Sequence, residues 1–427
     1  MMIDIKVLRE NPEIVRQNIK KKFQEEKLSL VDKIIKKDLD WRKLKAKLDS
    51  LRSERNSVSK DINELKKKGK DDKVLMKRAK QIPDEIREIE KKADKLRLNI
   101  DEALMSVPNI MHEDVPIGRN SNDNVVRESI GKPKDFNFKI KNHAELGEKL
   151  GILDFDSSRE ISGTGFYVMK GDLALLNQAL ISYARNFMVS KGYDYVEPPL
   201  MIRDSVLKGV YSKAEIDAMS YKVEGEDLFL IATSEHPLIG MYMGKMLNHK
   251  DLPIKLTAYS MCFRKEIGSH GIDEKGIYRT HQFNKQEMVV LCHPDDSWKF
   301  YDELLNLSKE LFKNLGIPIV VRESCSGDLS DLKARGADIE AWSPRQNKYF
   351  EVTSVTNMTD AQARRLGIRF VDKDNEKKFV HTLNNTAIAT SRALVAIMEN
   401  YQQEDGSIKI PDVLVPYMGK NIIGRSN

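Results

Sequence analysis

At 427 residues the chain is long enough for two or three domains with sizeable cores. It holds no apolar run of about eighteen residues and its start, MMIDIKVLRENPEIV, is charged, so neither membrane insertion nor secretion is expected and a cytoplasmic protein follows. The net charge of +6 is unevenly placed: Glu26 to Val107 holds 24 Lys or Arg against 17 Asp or Glu, so the basic character belongs to one segment. Cys262, Cys292 and Cys325 form no CxxC pair and suit packing in a reducing compartment. With scattered histidines and no HExxH, they argue against a structural zinc site.

Positions 30, 34, 37, 41, 44, 48, 51, 55, 58, 62 and 65 step by alternating fours and threes, as do 75, 79, 82, 86, 89, 93, 96, 100, 103 and 107. Apolar residues hold most of them, which is the a/d spacing of a coiled coil. The intervening KKKGKDDKV is too short for parallel helices, so an antiparallel pair is expected over about 26–107 with its tip near 66–74. Pro83 either kinks the second helix or, with Asp84 and Glu85 behind it, starts one after a frayed tip. Lys66, Lys67, Lys68, Lys70, Lys73, Lys77, Arg78 and Lys80 cluster near the turn. A projecting rod with a cationic end suits a nucleic-acid backbone, while a protein-docking coiled coil would carry a similar surface.

After Val107 the stretch PNIMHEDVPIGRNSNDNVV reads as a linker or irregular strap, placing a domain boundary near 108. Gly171 to Ser190 is an amphipathic helix leading into KGYDYVEPPLMI, a strand stopped or bent by Pro198 and Pro199. LIATSE, Leu230 to Glu235, reads as an apolar strand ending in hydroxyls and a carboxylate, groups able to hold an ammonium ion.

Thr257 to Glu266 and Ile277 to Val290 then form the arms of an antiparallel hairpin around a loop with Gly268, Gly271 and Gly276. Alternation puts Arg264 with Glu266 on one face, and Arg279, His281, Phe283, Lys285 and Glu287 together on one face of the second arm. That face is too charged for core. Cation, aromatic plate and carboxylate in a row can hold something phosphorylated, flat and aminated.

Trp298 to Leu315 is expected as a helix, IPIVV from Ile317 as a buried strand, and Tyr349 to Asn357 as a strand with Glu351, Thr353 and Val355 on one face. Glu351, with Ser354 near, can coordinate Mg²⁺ holding a triphosphate. Lys378 to Thr382 is read as a last strand. A helix then begins within LNNTAIATSRALVAIMENY, with Thr386 near its start offering amide donors to an anion and Arg392 two turns in, able to cover a planar group.

These pieces, in this order, resemble class II aminoacyl-tRNA synthetases over nearly the whole chain. GYDYVEPP with Pro199 is similar to the first class motif, FRKE and YRTHQFNKQE to the second, and NNTAIATSRALVAIMENY to the third; class I signatures are absent. The basic arm, TSE, EVTS and the ending LVPYMG resemble the seryl-tRNA synthetase family in particular. NNT stands where many members have NGS, and no GTGQ precedes the TSE element.

The resemblance implies an α+β fold: an antiparallel-sheet catalytic core flanked by helices over 108–427, behind an N-terminal tRNA-binding domain, 1–107, with the coiled-coil arm. It implies serine activation with ATP and transfer to tRNA-Ser, with a selenocysteine tRNA a second candidate acceptor. It places ATP on Arg264, Lys265, Glu266, Arg279, Thr280, Phe283, Glu351, Val352, Thr353, Ser354 and Arg392, with Mg²⁺ at Glu351 and Ser354. Serine falls to Thr233, Ser234, Glu235, Arg264, Glu287, Asn384 and Thr386, and catalysis to Arg264, Glu266 and Arg392. It further implies a homodimer with Pro199 at the interface, the lysine-rich tip on the long arm of tRNA across subunits, and the loop IGSHGIDEKG where the tRNA acceptor end enters. A relative loading a carrier protein would lack the arm, and a degenerate scaffold would have lost the charged positions.

Overall fold

A computed structural model describes residues 3–266 and 276–424. Most of the hairpin loop, and with it the expected entry of the tRNA acceptor end, lies outside the described residues. The chain divides into two compact units, Met1–Pro108 and Asn109–Asn427.

In the first unit, α1 (Leu28–Lys67, 40 residues) and α2 (Lys73–Leu104, 32 residues) form the arm. At a rise of 1.5 Å per residue they run about 60 and about 48 Å. Arg97 lies 5.6 Å over the Trp41 ring, Arg52 meets Glu90 at 2.7 Å and Arg78 meets Glu54 at 2.6 Å, so the helices run antiparallel. Leu48, Leu51 and Val58 pack against Ile82, Ile86, Ile89 and Ala93 along the seam, whereas Arg55 of the heptad series is exposed. The helix does not begin at Pro83. It begins ten residues earlier, where the Asp72 side chain accepts from the amides of Val74 and Leu75, and it runs through the proline. Pro83 is exposed between buried Ile82 and Ile86, so packing on either side holds the helix across the break in its hydrogen-bond ladder.

In the second unit an eight-stranded sheet is built from β1 (Val125–Ile130), β2 (Asp194–Tyr195), β3 (Ile254–Phe263), β4 (Gln282–Cys292), β5 (Ile319–Glu323), β6 (Arg335–Ser343), β7 (Lys348–Thr359) and β8 (His381–Ala389). Their order is β1-β5-β6-β7-β8-β4-β3-β2, antiparallel throughout except the β2/β3 edge. The unit's helices of interest are α3 (His143–Lys149), α4 (Gly171–Ser190), α5 (Glu235–Gly240), α6 (Ser297–Asn314) and α7 (Thr390–Asn400). Leu176 and Leu180 of α4, Leu304 and Phe312 of α6, and Leu394 and Ile397 of α7 share one core with Met288, Val290, Val355 and Leu383 of the sheet. A second core joins Leu256, Ala258, Val289 and Leu291 to Ile231, Leu238 and Phe370. Val289 and Leu291 continue the row of Phe283, Lys285 and Glu287, so one strand face passes from cavity lining to core within a few residues.

Four expectations change. The hairpin exists, but its strands end at Phe263 and restart at Gln282, so Arg279 and His281 do not follow the strand alternation. LIATSE contributes only Leu230 to a strand, Phe229–Leu230, and Glu235 opens α5 instead. In β7 the pairing with β6 slips by one residue at Val352, and one extra residue flips the faces behind it. Val355 therefore enters the core, while Ser354 and Thr356 face the cavity. LNNTAIA is not helical. It forms β8, central in the sheet and hydrogen-bonded to both β7 and β4, and α7 begins only at Thr390, with Arg392 in its first turn.

Candidate active site

One cavity of about 260 Å³ lies in the second unit against β4, β7 and β8. β4 presents Phe283, Lys285 and Glu287, β7 presents Glu351 to Ser354, β8 presents Asn384 and Thr386, and α7 brings Arg392. Thr233, Glu235, Arg264, Glu266, Arg279 and Thr280 complete the expected set.

One side is cationic and aromatic. The Arg264 guanidinium lies 5.2 Å over the Phe283 ring, with Nε donating to the Ala232 carbonyl at 3.3 Å. Arg392 lies 4.9 Å over the Tyr278 ring and meets Glu351 Oε1 at 2.9 Å. Arg279 stands 3.8 Å from Glu266, a non-glycine residue held at φ 50°. Burial opposes ionisation of Glu351, but Arg392 holds its carboxyl below the usual range. Asp338 pairs in register with Ser354, and burial together with Glu351 raises its carboxyl.

The other side is a buried polar pocket. Lys285 Nζ meets Glu287 Oε2 at 2.7 Å, and Thr386 Oγ1 donates to the same oxygen at 3.2 Å. The charged row read as too charged for core is nevertheless buried here at Lys285 and Glu287, because the two charges neutralise each other. Gln362 Nε2 donates to Glu235 Oε1 at 2.8 Å, and Thr382 Oγ1 donates to Gln362 Oε1 at 2.7 Å. Burial, then the charge of Glu287, push Glu235 up to about 7, against the pull of Gln362 and Lys285. Asn384 Nδ2 and Thr353 Oγ1 are buried with no hydrogen-bond partner among the described residues, and both residues line the cavity. Unpaired donors in a polar cavity are what an entering ligand satisfies.

Two expected residues are not brought in. Ser234 is fully buried with Oγ donating to the Ala258 carbonyl, and Lys265 is held outside the lining with its amide on the Met219 carbonyl. His281 turns away from the row: its ring meets Tyr221 Oη at 2.9 Å and packs 5.2 Å from the Phe166 ring. The site residues assigned from the sequence leave out Tyr278, Lys285, Lys333 and Ser391 of the lining, and Asp338 behind it. Lys285 was legible, since it shares the face of Phe283 and Glu287. Lys333 was not, because it sits in an irregular segment with no period. In the first unit, Lys66, Lys67, Lys68, Lys70, Lys73, Lys77 and Lys80 are exposed, whereas Arg78 is tied to Glu54 and Glu85 and serves as a clamp between the helices. Pro199 is exposed on the second unit.

The description "Seryl-tRNA synthetase N-terminal domain" matches residues 2–111, and "tRNA synthetase class II core domain (G, H, P, S and T)" matches residues 220–401. Serine-tRNA ligase of Methanocella arvoryzae is 45% identical over 419 residues, covering 98% of this chain and 99% of that protein. Serine-tRNA ligase of Pyrococcus horikoshii is 43% identical over 439 residues, covering 98% and 96%. The crystal structure of seryl-tRNA synthetase from Pyrococcus horikoshii complexed with ATP matches the fold with a TM-score of 0.95 at 42% identity, covering 100% of both chains. That of cytoplasmic serine-tRNA ligase from Naegleria fowleri in complex with AMP matches with a TM-score of 0.89 at 35% identity and 99% coverage of each. The two matched regions follow the two units in chain order, the likeness runs end to end, and the antiparallel sheet has the class II form. By these features the chain belongs to the seryl-tRNA synthetase family of class II aminoacyl-tRNA synthetases.

Proposed function

We propose that the chain is a serine-tRNA ligase, which activates L-serine with ATP to seryl-adenylate and transfers serine to the 3′ end of tRNA-Ser. The observation that carries this reading is one cavity in which a cationic and aromatic side adjoins a buried acidic and hydroxyl pocket. In the first step the serine carboxylate attacks the α-phosphorus and pyrophosphate leaves. In the second a terminal ribose hydroxyl of tRNA attacks the adenylate carbonyl and AMP leaves.

No side chain need act as a nucleophile, so catalysis comes from positioning and from charge placed where it develops. Arg264 takes the α-phosphate, Phe283 and Arg392 flank adenine, the backbone at Thr280 meets the adenine edge, and Glu266 with Arg279 closes the nucleotide side. Glu287 and Glu235 receive the serine ammonium, while Thr386 and Asn384 take its hydroxyl and carboxylate. Alanine is rejected because it would leave these buried groups unpaired, and threonine is rejected by size.

The residues present fit a divalent cation: Glu351 and Ser354 line the cavity and offer hard oxygen ligands, with Asp338 in register with Ser354 on the neighbouring strand. Mg²⁺ held by Glu351 and Ser354 would neutralise triphosphate charge. The seven exposed lysines near the tip of the arm bind the long variable arm of tRNA through its phosphates, and a homodimer through the face at Pro199 lets one subunit's arm serve its partner's cavity. The protein works in the cytoplasm, and a selenocysteine tRNA is a second candidate acceptor.

Pyrophosphate exchange with each of the twenty amino acids tests the reading. Exchange with serine is expected, and its absence alongside exchange with another amino acid sinks it.

A further inference from the structure

His143 lies 134 residues before the nucleotide side of the cavity and lines none of it, yet its ring touches the chain there. The side chain of Asn142 accepts from the amide of Glu145 and fixes the start of α3, which places His143 as the first helical residue. The ring is buried, and the amide of Ile277 donates to its Nε2 at 3.1 Å. On the other side Nδ1 faces the fully buried Glu399 carboxylate at 3.8 Å. That carboxylate is itself held by the Ser343 hydroxyl and, at 3.1 Å, by Arg345 Nε. Negative charge there favours the tautomer protonated at Nδ1, which leaves Nε2 an acceptor.

Two further features mark the contact as fitted. A Cβ on Gly276 would stand 2.3 Å from Nε2, so only glycine lets the chain pass over the ring. The Ile277 side chain is fully buried in the larger core. The chain is therefore pinned immediately before three consecutive lining residues. Tyr278 carries Arg392 on its face and packs edge-on against Phe350 at 5.5 Å. Arg279 faces Glu266 at 3.8 Å, and Thr280 Oγ1 donates to the Gln282 carbonyl at 2.9 Å.

We propose that His143 is a positioning residue for ATP: by holding the chain at Ile277 it sets Tyr278, Arg279 and Thr280. The role rests on the proposed serine activation and adds a residue to it that touches no substrate. In serine-dependent pyrophosphate exchange with the full chain, His143→Leu and Gly276→Ala should raise KM for ATP about tenfold, the effect of leaving the buried Ile277 amide unpaired or displaced. KM for serine should stay within about twofold, and His143→Gln, whose side-chain oxygen can still accept, within about threefold of the wild type on both. A merely destabilised fold would lower kcat through the active fraction without moving KM for ATP. Equal loss in His143→Leu and His143→Gln, or equal rises in both KM values, overturns the proposal. ATP affinity by calorimetry keeps the two readings apart: a wild type without serine-dependent exchange sinks the function, whereas unchanged ATP affinity in His143→Leu sinks the pin.

Discussion

Glu235 ties the chemistry of the pocket to pH. Its carboxyl moves from 4.5 to about 7 on folding, because burial and Glu287 disfavour the second negative charge. The fold thus binds an extra proton between those values, so the stability it confers is complete below about pH 4.5 and is lost as pH rises through about 7. Glu235→Gln should lack that decline, and denaturant unfolding of both chains across pH 4 to 8 reads it; parallel curves would contradict the assignment. An entering ammonium favours the carboxylate, so serine binding near pH 7 should release protons, seen as a dependence of the calorimetric heat on buffer ionisation. Thr386→Val removes the hydroxyl on Glu287 and should raise KM for serine about tenfold with KM for ATP little changed. Most of these residue types could be picked from the sequence because charge and hydroxyl at strand positions are conspicuous. The exclusion of Ser234 could not, since it depends on which neighbour of Thr233 turns inward to Ala258.

The elements divide by whether their pattern is local. The arm was legible because a 3.5-residue spacing runs through eleven positions of one helix and needs no distant partner. Pro83 is its one internal conflict. Pro83→Ala should stabilise the helix pair by about 1 to 3 kcal/mol, and Ile82→Ala should destabilise it by about 2 to 5 kcal/mol, both read as melting of the helical circular dichroism signal. β8 was misread for the opposite reason. Small residues such as Ala387 and Ala389 suit a helix, but two strands supply ladder partners, and Asn385 Nδ2 spends its donors on the Leu304 carbonyl and Ser308 Oγ. The bulge at Val352 likewise has no local sign, yet it decides that Ser354 and not Val355 faces the cavity.

For the whole molecule, two separate units predict separable losses. Removing residues 35–100 should spare serine-dependent pyrophosphate exchange and abolish tRNA charging; equal charging by the shortened chain would contradict the arm's assigned role. The sequence by itself determined the helical arm, its basic tip, the order of the class II motifs and the residue types of the cavity, because periodicity and short motifs are local properties of a chain. Only the tertiary structure decided which of those residues meet. Strand register, one bulge and the burial of Lys285 against Glu287 arise from pairing between segments far apart in sequence. So does the contact of His143 with Ile277, which no window of sequence contains.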